Sequence, residues 1–377
     1  MSAGAASRPV TVRYSNRSEL SATAESTRVT VGVDALRAEV GLRGRLRDAQ
    51  LFRDAMSAAG AVLGSDLRHK SKDRTAYLAY LAKQGKKANA AIWEAQKAFL
   101  DESLERDEKK SAVLDPLLTV HPDESSLEVF SQDESSYARL ALHNELFSER
   151  QAAHGSSFVE LGADFLADVE RLRTWRPVVL DAGTVRHTSA KLPEETRSAE
   201  VSWRWLRGFL QVQSAATLPA STCSLAPVDL YNILYALRSR RAKKPPRALR
   251  FELVPGAPPR VVVEPWEIVL ECHAAPYQGP SPRVVRTFGR QRLMTLMRLL
   301  PHIKGVRVKL LGGGLPTFWV VDLGVASFTL GLTGWTESGW SSAASFDALT
   351  ANPVDAGRRH VASPTHPRAR CAGRVGA

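Results

Sequence analysis

Residues 305–349 read GVRVKLLGGGLPTFWVVDLGVASFTLGLTGWTESGWSSAASFDAL, and this stretch restricts the fold more than any other. Three short runs follow one another, Val306–Leu311, Thr317–Leu323 and Ser327–Leu332, each rich in branched and aromatic residues. Gly312, Gly313, Gly314 and Pro316 part the first from the second, and Gly324 parts the second from the third. Parallel strands need a crossover of about a dozen residues, so these connections predict an antiparallel meander. On its middle strand Trp319, Val321 and Leu323 alternate with Phe318, Val320 and Asp322 across the two faces. A short helix is expected after it, from about Ser342 to Leu349.

The remaining chain supplies strands and helices for such a meander to pack against. Pro9–Tyr14 and Arg28–Val33 alternate in strand fashion and are expected to pair as a small N-terminal sheet. Helices follow: one from Asp48 with Phe52, Met56 and Ala59 on its stripe, one with Tyr77, Leu78 and Leu81, and one from Lys86 to about Glu105. Leu117–Val120 and Leu127–Phe130 return to strand character around a His-Pro-Asp-Glu turn. Phe158, Leu161, Phe165, Val169 and Leu172 are spaced as one amphipathic helix, and Pro177–Leu180 as a strand. Residues 183–200 are polar and aperiodic, which marks a loop or boundary.

From Val201 a helix carries Trp205, Phe209 and Val212, and Pro227 opens another with Leu230, Ile233, Leu234 and Leu237 in its stripe. Ala248–Val254, Arg260–Val263 and Trp266–His273 read as neighbouring strands, and a helix runs from about Phe288 to Leu300. The fold class expected is α+β, with helices packed on mostly antiparallel sheets, a C-terminal β-meander and a disordered basic tail. The segments expected are 1–110 (strands plus a helical layer), 111–200 (mixed), 201–349 (α+β with the meander) and 350–377 (tail).

Charge is unevenly placed on this chain of net +12. Asp101 to Glu134 holds eleven acidic residues against three basic ones. Cys272 to Val321 holds eight arginines and lysines and no acid, and the block Arg238, Arg240, Arg241, Lys243, Lys244, Arg247 and Arg250 is also acid-free. Concentrated positive charge attracts phosphate or an acidic protein surface. The plainer alternative, a solvated face balanced by the acidic segment, stays open beside it. The residues expected to contact nucleic acid or a partner are Arg238, Arg240, Arg241, Lys243, Lys244, Arg247, Arg286, Arg290 and Arg292.

No catalytic constellation accompanies that charge. Gly339-Trp340-Ser341-Ser342-Ala343 lacks the second glycine of a nucleophile elbow. Gly312–Gly314 precedes a strand, whereas a phosphate cradle opens a helix. His121 stands alone in a turn, and the clustered carboxylates fall on exposed polar stretches. Cys223, Cys272 and Cys371 are too few and scattered for a disulfide framework, and no apolar run approaches the roughly 20 residues of a membrane helix. A cytoplasmic, non-enzymatic binding protein is the expectation.

The segments WLRGFLQVQSAATL, LAPVDLYNILYALRSRRAKKPPRALRFELVPG, LLGGGLPTFWVVDLG and FTLGLTGWTESGWSSAASFDAL resemble the bacterial SWIM-type zinc finger family, in the region N-terminal to its zinc motif. The resemblance runs from about Thr11 to Leu349. It implies a scaffold which in full-length relatives carries one tetrahedral zinc on Cys-x-Cys and Cys-x-His, for contacts with nucleic acid or protein. This chain departs from the family there: it contains no Cys-x-Cys, and only His360, His366 and Cys371 cluster, within a tail of five arginines from Gly357 onward. A chain cut or frame-shifted before its finger, or a natural basic tail, accounts for that composition. No cofactor and no metal are expected here. The alternative function is an interaction subunit of a multi-protein bacterial system, alongside an ATPase, whose basic face meets an acidic partner.

Overall fold

The computed structural model describes residues 12, 14, 16–34, 40–67, 115–183, 203–240, 247–334 and 339–341. The helices expected around Tyr77 and over 86–105, the helix after Ser342 and the tail 350–377 lie outside these residues. The described fold is α+β, as expected.

The meander forms as its glycines dictate. β15 (Gly305–Leu310), β16 (Thr317–Asp322) and β17 (Ala326–Leu332) pair antiparallel, with Trp319 opposite Val308 and Leu330. Gly312, Gly314 and Gly324 hold positive φ at the two turns. Trp319 and Val321 are fully buried on one face and Leu323 nearly so, while Phe318 packs in a second cluster on the other face.

What the local pattern could not reveal is the sheet that the meander joins. Its strands are β10 (Ser221–Leu225), β6 (Ser136–His143), β5 (Glu124–Phe130), β4 (Leu117–Val120), β8 (Gly155–Glu160), β2 (Thr27–Val33), β9 (Val178–Gly183), β3 (Gly41–Leu46) and β7 (Phe147–Ala153). The order β10-β15-β16-β17-β6-β5-β4-β8-β2-β9-β3-β7, with β1 (Glu19–Ala22) paired to β2, makes thirteen strands. β2 and β9 run parallel, and the other described pairs are antiparallel. Strands from all three expected segments therefore share one sheet. β2 joins this sheet through β8 and β9, and Tyr14 bridges Asp34 just past its end; the rest of the expected Pro9–Tyr14 strand, apart from Val12, lies outside the described residues.

One helix expectation needs correcting. Phe158 lies in β8, where Pro116 O accepts from Val159 N at 2.9 Å, and the helix proper is α2 (Ala163–Glu170), opened by Gly162. The sheet's hydrogen bonds outweigh the apparent helical period. α1 (Ala49–Leu63) starts where the sequence pattern placed it, and Asp48 caps it, its Oδ1 accepting from Leu51 N at 2.8 Å.

α1 packs on the inner face together with α4 (Pro227–Ser239) and a 3-10 helix, Arg290–His302. The helix expected near 288–300 is thus the tighter form, so its thirteen residues span about 26 Å where an α-helix would span about 20 Å. α3 (Trp203–Thr217) covers part of the outer face, where Phe209 meets Phe130 edge-on at 4.8 Å. A second sheet, β13 (Ile268–Glu271), β12 (Arg260–Val263), β11 (Leu249–Leu253) and β14 (Arg283–Thr287), buries Phe251 against Trp319 at 5.9 Å.

Candidate functional site

The fold sorts the expected cations by what surrounds them. On the second sheet Arg250 lies opposite Arg286 in the ladder, and both turn to the buried carboxylate of Glu264. Arg250 Nη1 donates to Glu264 Oε1 at 2.7 Å and Arg286 Nε at 3.0 Å, while Arg290 Nη1 donates to the Glu264 carbonyl at 2.9 Å. Glu267 and Glu252 complete the coordination of Arg250 at 2.7 and 3.0 Å. The hydrogen bond that Arg250 donates to Glu267, with those to Glu264 and Glu252, raises the Arg250 pKa, and the same bond holds the Glu267 carboxyl low. Arg290 also lies 5.0 Å over the Trp266 ring, and burial followed by the nearby charge of Arg247 pushes its pKa down.

Arg292 is more deeply enclosed, at 3% exposure. Its guanidinium donates to Ser135 O, to Thr333 Oγ1 and Thr333 O at 2.9 Å each, and to Phe288 O and Gly289 O at 3.4 Å. Burial pushes its pKa down to about 10, opposed by Asp133, so it stays charged at neutral pH. Gly289 makes room for it: φ is 73° there, and a Cβ would sit 2.1 Å from Arg292 Nη2. Arg290 and Arg292, expected on a partner-binding face, are instead structural cations inside the protein, and Arg286 is tied to Glu264.

The first basic block has a different fate. Arg238 and Arg240 are exposed, and so is Arg247. Arg241, Lys243 and Lys244 lie outside the described residues. Arg238 closes α4, whose inner side buries Leu230, Ile233, Leu234 and Leu237, the stripe expected from the sequence. The opposite side is aromatic: Val228, Tyr231 and Tyr235 are 48, 50 and 60% exposed. The two tyrosine rings stack at 6.1 Å with 17° between their planes.

Val228, Tyr231, Tyr235 and Arg238 follow at spacings of three and four, so they form one stripe along the helix. Its start is fixed by buried Asp229, which accepts from Ala226 N and His273 N at 2.8 Å each and anchors α4 to the end of β13. Sequence reading missed the tyrosines, although the signal was present: once 230, 233, 234 and 237 face inward, 231 and 235 must face out.

Other features offer less. A cleft of about 800 Å³ beside α2 is lined by Tyr14, Glu19, Glu160, Asp164 and Asp168 among others, and is acidic. Trp175 is 71% exposed with the Arg176 guanidinium 4.5 Å from its ring. Among the described residues no group of three or more His, Cys, Asp or Glu side chains is placed to hold a metal ion. Among them, too, no helix is long and apolar enough to cross a membrane.

The class defined by this geometry is an α+β chain with a half-exposed aromatic stripe running into a basic end. No protein-family model matches the chain, and no curated protein does. Among solved structures it is similar to the proliferating cellular nuclear antigen of Entamoeba histolytica, at 10% identity and a TM-score of 0.46, over 77% of this chain and 97% of that one. It is similar to the PCNA of Thermococcus kodakaraensis at 11% identity and the same TM-score, over 77% and 98%.

Proposed function

We propose that this chain is a non-enzymatic binding protein that contacts nucleic acid through the exposed side and basic end of α4. The observation that carries the reading is the continuity of exposed Val228, Tyr231 and Tyr235 with Arg238 at helical spacing, with exposed Arg240 directly after the helix. Positive charge attracts phosphate, and exposed aromatic faces stack on bases. The carbonyl end of a helix by itself repels phosphate, so Arg238 and Arg240 are the groups that reverse the sign of the field there. The resemblance of the quoted segments to the SWIM-type zinc finger family is part of the same proposal: a scaffold region whose relatives carry a zinc motif.

Binding of a labelled oligonucleotide at low salt, followed by anisotropy, tests it. Arg238→Ala with Arg240→Ala is expected to weaken binding by a similar factor for every base sequence. Absence of binding by the unaltered protein, or binding indifferent to the double variant, overturns the reading. Binding of an acidic protein surface at the same face in place of nucleic acid is the alternative outcome.

A further inference from the structure

We infer that the α4 surface selects single-stranded over duplex nucleic acid, with Tyr231 and Tyr235 as the base-stacking platform. This rests on the proposed nucleic-acid reading and narrows its ligand. A duplex keeps its base faces inside its own stack and presents phosphates and groove edges. Cations suffice to hold such a ligand, and half-exposed rings gain little from it. An unpaired strand presents phosphates and base faces together, and the stripe offers a partner for each.

The geometry fits that ligand in three respects. The tyrosines are four residues apart, about 6 Å along the helix axis, and their rings stand nearly parallel, 6.1 Å apart at 17°, with each residue at least half exposed. Because α4 buries its other side and is anchored through Asp229, the helix that carries the rings is held in place before anything binds. From Val228 to Arg238 the stripe covers about 15 Å along the helix, the length of a short stretch of unpaired strand. Arg238 and Arg240 stand at one end of the platform rather than around it, so the backbone is held beside the stacked bases. Val228, 48% exposed, extends the apolar surface at the other end.

The test compares a labelled oligothymidylate of about fifteen nucleotides with a blunt mixed-sequence duplex of the same length, a length within the site sizes of single-strand binders. Tighter binding of the single strand is expected. Tyr231→Ala with Tyr235→Ala should weaken it by at least about thirtyfold. The dependence on salt should stay as in the unaltered protein, since no phosphate contact is removed. Tyr231→Phe with Tyr235→Phe should restore binding, because the ring and not the hydroxyl is the contact. Thermal melts of both variants verify that the exposed positions leave folding intact. Duplex binding as tight as single-strand binding, or an alanine variant that binds the oligothymidylate normally, overturns the inference while leaving the nucleic-acid reading in place. No binding of either probe removes both.

Discussion

Replacing Arg292 with methionine separates the two roles that its position allows. The substitution keeps the length and the apolar stem but removes every donor. At 2.9 Å the bonds to Thr333 O and Thr333 Oγ1 are well made, whereas those to Phe288 O and Gly289 O at 3.4 Å are weak. Ser135 O also accepts from Thr333 N and Oγ1, both at 3.1 Å, so it is not orphaned by the change. The loss is therefore that of about two buried acceptor bonds, each costing roughly 1–3 kcal/mol. Relief of the guanidinium's own desolvation offsets part of it. A net destabilisation of about 2–4 kcal/mol follows, read as a lower urea midpoint with unchanged slope. Arg292→Lys keeps the charge, loses the fork and should recover only a fraction. A loss below about 0.5 kcal/mol, with weakened oligonucleotide binding, would put Arg292 at the surface and refute the account of its burial.

Three further outcomes are expected. Trp319→Ala, at a fully buried side chain packed on Phe251, should cost about 3–5 kcal/mol in the same assay; a cost below about 1 kcal/mol would mean the meander does not face the core as described. Burial raises the Cys223 thiol from 9.0 to about 12, so its contribution is fully present below pH 9 and is lost as pH rises towards 12. Alkaline unfolding of Cys223→Ala should therefore be less steep over that window, by up to about 1.4 kcal/mol per pH unit, and an identical slope would contradict it. Elemental analysis of the purified chain should find no stoichiometric zinc, and a chelator should leave the melting temperature unchanged; one equivalent of zinc lost together with structure would overturn that expectation.

Legibility followed the range of the interactions. The meander and the α4 stripe are set by neighbours within a few residues, and both stand where the spacing put them. The pairing of β17 with β6 joins Phe328 to Leu140 across about half of the chain, and no local pattern carries that information. Charge misled for the same reason. Arg286 and Arg290 lie in a stretch without acids, yet Glu264 reaches them from 22 and 26 residues away. Counting charges along a window misses neutralisation across strands. The apparent helical run through Phe158 failed because β4 and β2 compete for that segment.

The salt dependence of oligonucleotide binding tests the central claim most directly. Arg238 and Arg240 are exposed at the end of the aromatic stripe. Two phosphate contacts on a single strand predict a slope of about −1.4 in log K against log salt, at about −0.7 per contact. Arg238→Ala with Arg240→Ala should reduce that slope by about 1.4, whereas the tyrosine variants leave it unchanged. A slope near zero for the unaltered protein, or one that the arginine substitutions do not alter, would contradict the account.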